Sequence, residues 1–383
     1  MKRTTLLKST GILTAALFAL NSCTKETDPV LSSVSPNLPE TPYNYSAFGG
    51  FSDPTYNHTA TLGRVLFYER QLSANNSVSC ASCHKQAFSF ADNVAFSRGL
   101  NNEVTTRNSM PVINLSGGFS NVMFFEDGNI SPDQFGPMGF GASFFWDGRE
   151  SNLNQLAMRP VKNHVEMGIT DTKALITKLN RLPYYPALFQ NAFGSPKISV
   201  EKISQAIGTF MSSIQSTDSK NDRFLSTGDP TVFTSLENRG FNLFFETYNC
   251  AGCHDVFPGE YNSPGFFNIG LDTYSEDPGL AGLPDKSSER GVFRTPNLKN
   301  VALTAPYMHD GRFATLDDVL DHYSEGINET PGLALQLRNG QGQPLRMNIP
   351  DADRKALLAY LNTFTDYTVI ADVKFSDPFV KAE

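Results

Sequence analysis

Two short runs carry the most specific chemistry in this sequence: CASCH, with Cys80, Cys83 and His84, and CAGCH, with Cys250, Cys253 and His254. In each, two thiols one turn apart are spaced to bond the two vinyl carbons of a haem. The adjacent imidazole then sits beneath the iron as an axial ligand. One such run would also suit a redox dithiol or half of a zinc site. Here there are two, and the fifth cysteine, Cys23, lies in a leader-like segment, so the other four point to two covalent c-type haems. The opposite face of each iron is less defined. His58, His164, His309 and His322 remain, with nine Met and thirteen Tyr, and spacing does not choose among them.

Segments of similar pattern precede the two runs. LGRVLF (Leu62–Phe67) and RGFNLFF (Arg239–Phe245) have apolar residues three and four apart, the period of short amphipathic helices that deliver the chain to a haem turn. Gly63 and Gly240 stand four residues before Phe67 and Phe244, a spacing that lets a second helix cross closely. This internal echo predicts two domains of one type. Thr172–Leu182 and Ser199–Ile214 also have helical spacing, the latter with Val200, Ile203, Ile207 and Met211 on one face. Asp351–Phe364 reads as a last helix, with Asp351 as its N-cap and an apolar stripe of Ala356, Leu357, Tyr360, Leu361 and Phe364. It is expected to pack on the helix leading to the second run. Little of the chain alternates as strand, and Ser116–Phe145, rich in Gly and Phe, reads as loop. The expectation is a mainly α fold of two tandem cytochrome c-like domains with long loops, at 48–218 and 219–383.

The N-terminus reads as an address. Lys2, Arg3 and Lys8 precede an apolar stretch, Gly11–Leu20, too short to span a membrane comfortably, and Leu20–Cys23 follows with a small residue before the cysteine. Residues 1–22 are expected to be a lipoprotein signal, with Cys23 lipidated, and 23–47, rich in Pro, Ser and Thr, a flexible tether. The protein is then exported to the periplasm or cell envelope and meets the membrane through its lipid alone. The chain of 383 residues carries a net charge of −8 and no basic stripe, which argues against nucleic acid as a partner. It holds 30 Phe and a single Trp, Trp146.

Several blocks resemble the bacterial diheme cytochrome c peroxidase / MauG family: LGRVLFYERQLS, CASCH, RNSMPVINL, FFWDGR, PVKNHVEMG, CAGCH and FRTPNLKNVALTAPYMHDGRFATLDDVLDHY. Together they span about Leu62 to Phe364. The resemblance implies that the haem on His84 is the peroxide-reacting centre and the haem on His254 the electron-transfer centre. It implies a distal acid–base carboxylate at Glu166, a distal-pocket proline at Pro160 and an inter-haem indole at Trp146. It also implies one calcium ion held by Asn108 and the carbonyls of Thr304 and Pro306. Such a cation takes oxygen ligands, with waters completing the shell.

The sequence departs from the family pattern in places. Other members carry a blocking histidine in the loop after the first haem, where this chain has Phe96-Ser97-Arg98-Gly99, so the oxidised first iron is expected to be accessible. The position opposite the second iron, a Met in many members, falls on Tyr323, with His322 and Met308 as neighbouring alternatives. A phenolate there would lower the reduction potential. Leu156 stands where a distal-pocket Gln is usual, with Gln155 beside it. Hydrogen peroxide is the expected substrate and a small cytochrome c or cupredoxin the expected electron donor, with a homodimer left open. Oxidation of a partner protein's aromatic side chains, or electron transfer without catalysis, are the alternatives.

Overall fold

The computed structural model describes residues 36, 54–115, 143–254 and 265–379. The leader, Cys23, the tether and most of Ser116–Phe145 lie outside them. Helices form at α1 Pro54–Tyr68, α2 Cys80–Cys83, α3 Leu153–Lys162, α4 Thr172–Leu179, α5 Tyr185–Phe193, α6 Val200–Ser213, α7 Lys220–Thr227, α8 Ser235–Asn242, α9 Leu316–Asp321 and α10 Asp351–Asn362. Two short strands, β1 Phe266–Phe267 and β2 Phe293–Arg294, pair antiparallel with Phe266 opposite Arg294. The fold is mainly α, and the described residues between 54 and 379 fall in one compact unit.

Local chemistry explains the helix starts. Ser199 and Asp171 cap α6 and α4 by accepting the amides of Lys202 and of Lys173 and Ala174. Thr234 and Glu237 form a reciprocal capping box on α8, as do Thr315 and Asp318 on α9. The terminal helix departs from expectation at its start. Pro350, in extended conformation, is the N-cap of α10, and Asp351 is the first helical residue, where its charge faces the positive end of the helix dipole.

The two haem-leading helices cross their partners in the same way. A Cβ on Gly63 would overlap the carbonyl oxygen of Ala206 in α6 and lie 2.7 Å from Phe210 Cβ. A Cβ on Gly240 would overlap the carbonyl oxygen of Ala356 in α10 and lie 2.7 Å from Tyr360 Cβ. In both crossings the glycine meets residues four apart on the facing helix, so backbone rests on backbone. The echo seen in sequence is thus a repeated contact. Ile203, Ile207, Phe210 and Met211 bury one face of α6, and Ala356, Leu357 and Tyr360 one face of α10.

Buried apolar side chains gather in three clusters. The first takes in α1, α3, α5 and α6, the second α10 with Leu243 and Phe244 of the turn after α8, and a small third contains Ile327, Leu333, Ala334 and Leu337. The end of the chain leaves the second cluster and returns to the first, which includes Val369 and Phe375. There Arg64 donates through Nε to the Ser376 carbonyl (2.6 Å) and the Tyr68 hydroxyl to the Phe375 carbonyl (2.7 Å).

Gly63→Ala and Gly240→Ala should each lower stability by about 2 kcal/mol through overpacking of a backbone crossing. Thermal unfolding of the haem-loaded protein checks this, with Gly340→Ala, which has nothing within 4 Å, as the neutral control.

Candidate functional site

Cys80, Cys83 and His84 line a cavity of about 760 Å³, within the range of sites that hold small molecules and cofactors. The one-turn α2 carries both thiols, and the amide of His84 closes it on the Cys80 carbonyl. His84 Nδ1 lies 3.0 Å from the Phe90 carbonyl and donates its proton there, which leaves the Nε2 lone pair for a metal. Ser89 and Phe90 both take left-handed backbone (φ 55° and 58°) to turn that carbonyl toward the ring. Burial lowers the pKa of His84 and keeps the imidazole neutral, as ligation requires.

The second run repeats the design. Cys250, Cys253 and His254 line a cavity of about 220 Å³, and His254 Nδ1 donates to the Pro296 carbonyl at 3.2 Å. Burial pushes the pKa of His254 down to about 4. The thiols speak against the other uses of a Cys-x-x-Cys pair. Burial pushes Cys80 and Cys250 up to about 12 and Cys83 to about 11, the reverse of the acidic thiol of a redox dithiol. Among the described residues, no group of three or more His, Cys, Asp or Glu is placed to hold a metal ion. Paired thiols, a neutral histidine with an oriented Nδ1–H, and an apolar hollow beside them fit a haem at each run.

Glu166, Pro160 and Leu156 all line the first cavity, whereas Gln155 is exposed and does not. The turn after α3 positions Glu166. Asn163 accepts the amide of Val165 through Oδ1 (2.9 Å) and donates through Nδ2 to Glu166 Oε1 (2.8 Å). Burial raises the pKa of Glu166, opposed by the nearby charge of Arg149 and by the Asn163 hydrogen bond. Among the described residues lining this cavity, His84 is the only histidine.

Five residues line both cavities: Asn108, Met110, Pro111, Trp146 and Arg294. The Trp146 indole donates from Nε1 to the Asn108 carbonyl (2.9 Å), and the Arg294 amide donates to the Trp146 carbonyl (2.8 Å). Trp146 is therefore fixed in the wall between the two hollows. The Asn108 side chain donates from Nδ2 to the Val94 carbonyl (3.1 Å), and its amide donates to the His309 carbonyl (2.7 Å). Thr304 and Pro306 line the second cavity, joined through Ala305 and a cis Ala305–Pro306 bond.

The structure separates the three candidates opposite His254. Tyr323 and Met308 line the second cavity; His322 does not, because its Nε2 bonds the Ile269 carbonyl at 2.9 Å. A π turn over His322–Gly326 follows α9, and Tyr323 within it faces the hollow. Burial raises the pKa of the Tyr323 phenol, with further upward push from Cys250 and Cys253.

Sequence reasoning did not reach Asn163, Met347, which also lines the second cavity, or an ion-pair network at the rim of the first. In that network Arg107 grips both oxygens of Asp277 (2.7 and 2.8 Å) and also Asp147 (2.6 Å). Arg149 bonds Asp147 (2.9 Å) and stacks over Phe145, 3.7 Å from the ring centroid. Both arginines stood inside quoted blocks, but the partners of Arg107 lie 40 and 170 positions away, and no local pattern announces them.

Fold and paired sites together define a diheme c-type cytochrome. The family profile described as Di-haem cytochrome c peroxidase matches residues 57–230. Methylamine utilization protein MauG of Methylorubrum extorquens is 30% identical over 314 residues, covering 82% of this chain and 79% of that protein. Cytochrome c551 peroxidase of Nitrosomonas europaea is 30% identical over 265 residues, covering 68% and 71%. Among solved structures, a MauG-like protein associated with microbial copper homeostasis aligns with a TM-score of 0.69 at 28% identity, covering 90% of this chain and 97% of that one. The diheme peroxidase BthA from Burkholderia thailandensis shares the fold, with a TM-score of 0.63 at 21% identity over 85% of this chain and 90% of its own. The chain belongs to the di-haem cytochrome c peroxidase / MauG family.

A haem assay on denatured protein should find two covalent haems per chain. The double variants Cys80→Ala/Cys83→Ala and Cys250→Ala/Cys253→Ala should each retain one, because each pair of thiols serves its own cavity.

Proposed function

We propose that this protein reduces hydrogen peroxide to water, H2O2 + 2 H+ + 2 e− → 2 H2O, with electrons from a small cytochrome c or cupredoxin. The observation that carries this reading is Glu166 on the wall of the cavity that holds His84, where no second histidine stands among the described lining residues. When bound, the haem at His84 supplies two-electron redox chemistry toward peroxide and the haem at His254 supplies storage of one electron at a time. Glu166 takes a proton from the nearer peroxide oxygen and returns it to the departing one, with Oε1 held by Asn163 so that Oε2 carries the transfer. Leu156 and Pro160 keep water from crowding the carboxylate. Trp146, in the wall shared by both cavities, is the side chain through which electrons pass between them.

A second reading, oxidation of a partner protein's aromatic side chains, is favoured by Tyr323 on the second cavity. Ligation of the second iron by a phenolate would stabilise its oxidised state and make it a store of oxidising equivalents. Asn108 and the carbonyls of Thr304 and Pro306 supply only oxygen donors and suit a calcium ion, which would stiffen the wall that holds Trp146. Export and lipid attachment at Cys23 complete the proposal.

Peroxide added to the fully oxidised protein, with no prior reduction, should change the haem spectrum at once, and Glu166→Gln should slow that change by 10²–10⁴-fold. A response confined to the reduced protein would contradict the open first site. The rate should rise with pH as Glu166 ionises, since only the carboxylate can accept a proton. Removing the Asn163 hydrogen bond from that carboxylate raises its pKa further. The rising limb in Asn163→Ala should therefore move to higher pH, by about one unit in a stopped-flow pH series. Tyr323→Phe should raise the reduction potential of the second haem in a redox titration and His322→Gln should leave it in place. Negligible steady-state turnover with reduced cytochrome c would favour the second reading.

A further inference from the structure

Asp92 is buried (2% exposed) and bonds two loops, one leading to His84 and the other to Glu166, both of which line the first cavity. On one side its Oδ1 accepts from Lys85 Nζ at 2.7 Å. Lys85 opens the loop that bridges back at Ala91 and presents the Phe90 carbonyl to His84. On the other side its Oδ2 accepts from the hydroxyl of Ser97, which is fully buried, at 2.6 Å, a short charge-assisted bond. Ser97 anchors a loop closed by Thr105, whose amide donates to the Ser97 carbonyl (3.0 Å), and by Gly99, whose amide donates to the Glu103 carbonyl (2.8 Å). At the tip the Leu100 amide donates to the carbonyls of Val165 (2.8 Å) and Glu166 (3.0 Å). Gly99 packs there so tightly that a Cβ would overlap the Val165 carbonyl oxygen and lie 2.9 Å from the Glu166 Cα.

We infer that Asp92 is a positioning residue that couples the supports of His84 and Glu166 in the first site: one carboxylate oxygen steadies the loop that orients His84, and the other holds the loop that clamps Glu166. The inference rests on the reading of Glu166 as the proton carrier. In this chain the segment Phe96–Gly99 is a fixed brace for the distal carboxylate.

The test uses the haem-loaded holoprotein and cuts the branches separately. Ser97→Ala removes the distal branch, together with the hydroxyl's bonds to Ser109 (2.8 Å) and Cys83, and leaves the Lys85 branch intact. Amide exchange in peptides covering 97–106 should speed about ten- to hundredfold, as for loss of a hydrogen bond to a charged group. The peroxide-induced spectral change should slow about tenfold from misplacement of the carboxylate. The iron–histidine stretching band of the reduced protein should stay in place, and Ser97→Thr, which keeps a hydroxyl, should restore both rates. Asp92→Asn should give the same losses and also shift the iron–histidine band.

If Ser97→Ala leaves exchange or the peroxide rate unchanged, or Asp92→Asn leaves the band unmoved, the coupling is wrong. Should Asp92→Asn fail to fold, the Ser97 pair still decides the distal branch, and Lys85→Met, which removes the cation on Oδ1, decides the proximal one through the same band. Full peroxide rate in Glu166→Gln would instead overturn the proposed function, while the exchange pattern and the band would still report on Asp92.

Discussion

Two helix crossings with no side chain between them govern the rest of this structure. Because Gly63 lies on Ala206 and Gly240 on Ala356, each haem-leading helix is locked in depth and angle against its partner. Ridge-and-groove packing normally leaves helices 8–10 Å apart, and glycine at the contact allows less. The turns that follow, α2 and Cys250–Gly252, then have one place to go, and both cavities open beside them. Everything chemical in the protein is referred to these two frames.

Low dielectric does the rest, and it acts on each group according to its charge. The same burial that holds His84 and His254 neutral also keeps the thiols protonated and lifts the pKa of Glu166. A neutral imidazole is a ligand, whereas a carboxylic acid with an elevated pKa can both take and return a proton. Between the two hollows lies a wall held mainly by backbone: the Asn108 carbonyl on the indole, the Trp146 carbonyl on the Arg294 amide, the Asn108 amide on His309. Arg107 fastens that wall to Asp277 from outside. A side chain held by main-chain partners has few alternative rotamers, which suits a group that spans two sites.

Much of this was legible beforehand, and the reasons differ by feature. The two Cys-x-x-Cys-His runs are local chemistry, so their spacing carried the meaning directly. The glycine echo was legible because close backbone approach tolerates almost no other residue. Helices with strong apolar periods, such as α6, were readable to within a few residues. The start of α10 was not, because Pro350 and Asp351 both suit a helix N-terminus and only backbone angles assign the cap. The resemblance put Tyr323 ahead of its neighbour His322, and spacing alone did not choose; the π turn turns Tyr323 to the cavity and His322 to Ile269. Leu156 and Gln155 divide in the same way across the surface of α3. Asn163 was passed over because its role is a turn geometry, and Arg107 with Asp277 because the partners lie 170 positions apart.

The returning C-terminus has a consequence for how the protein comes to exist. Arg64 and Tyr68 bond residues more than 300 positions later, and Val369 and Phe375 fill the core built around α1. Contacts of such sequence separation form late and slow the search for the native state. The first core therefore stays incomplete until residues 369–376 are present. The half made first is thus completed late, and without that returning segment its core is open.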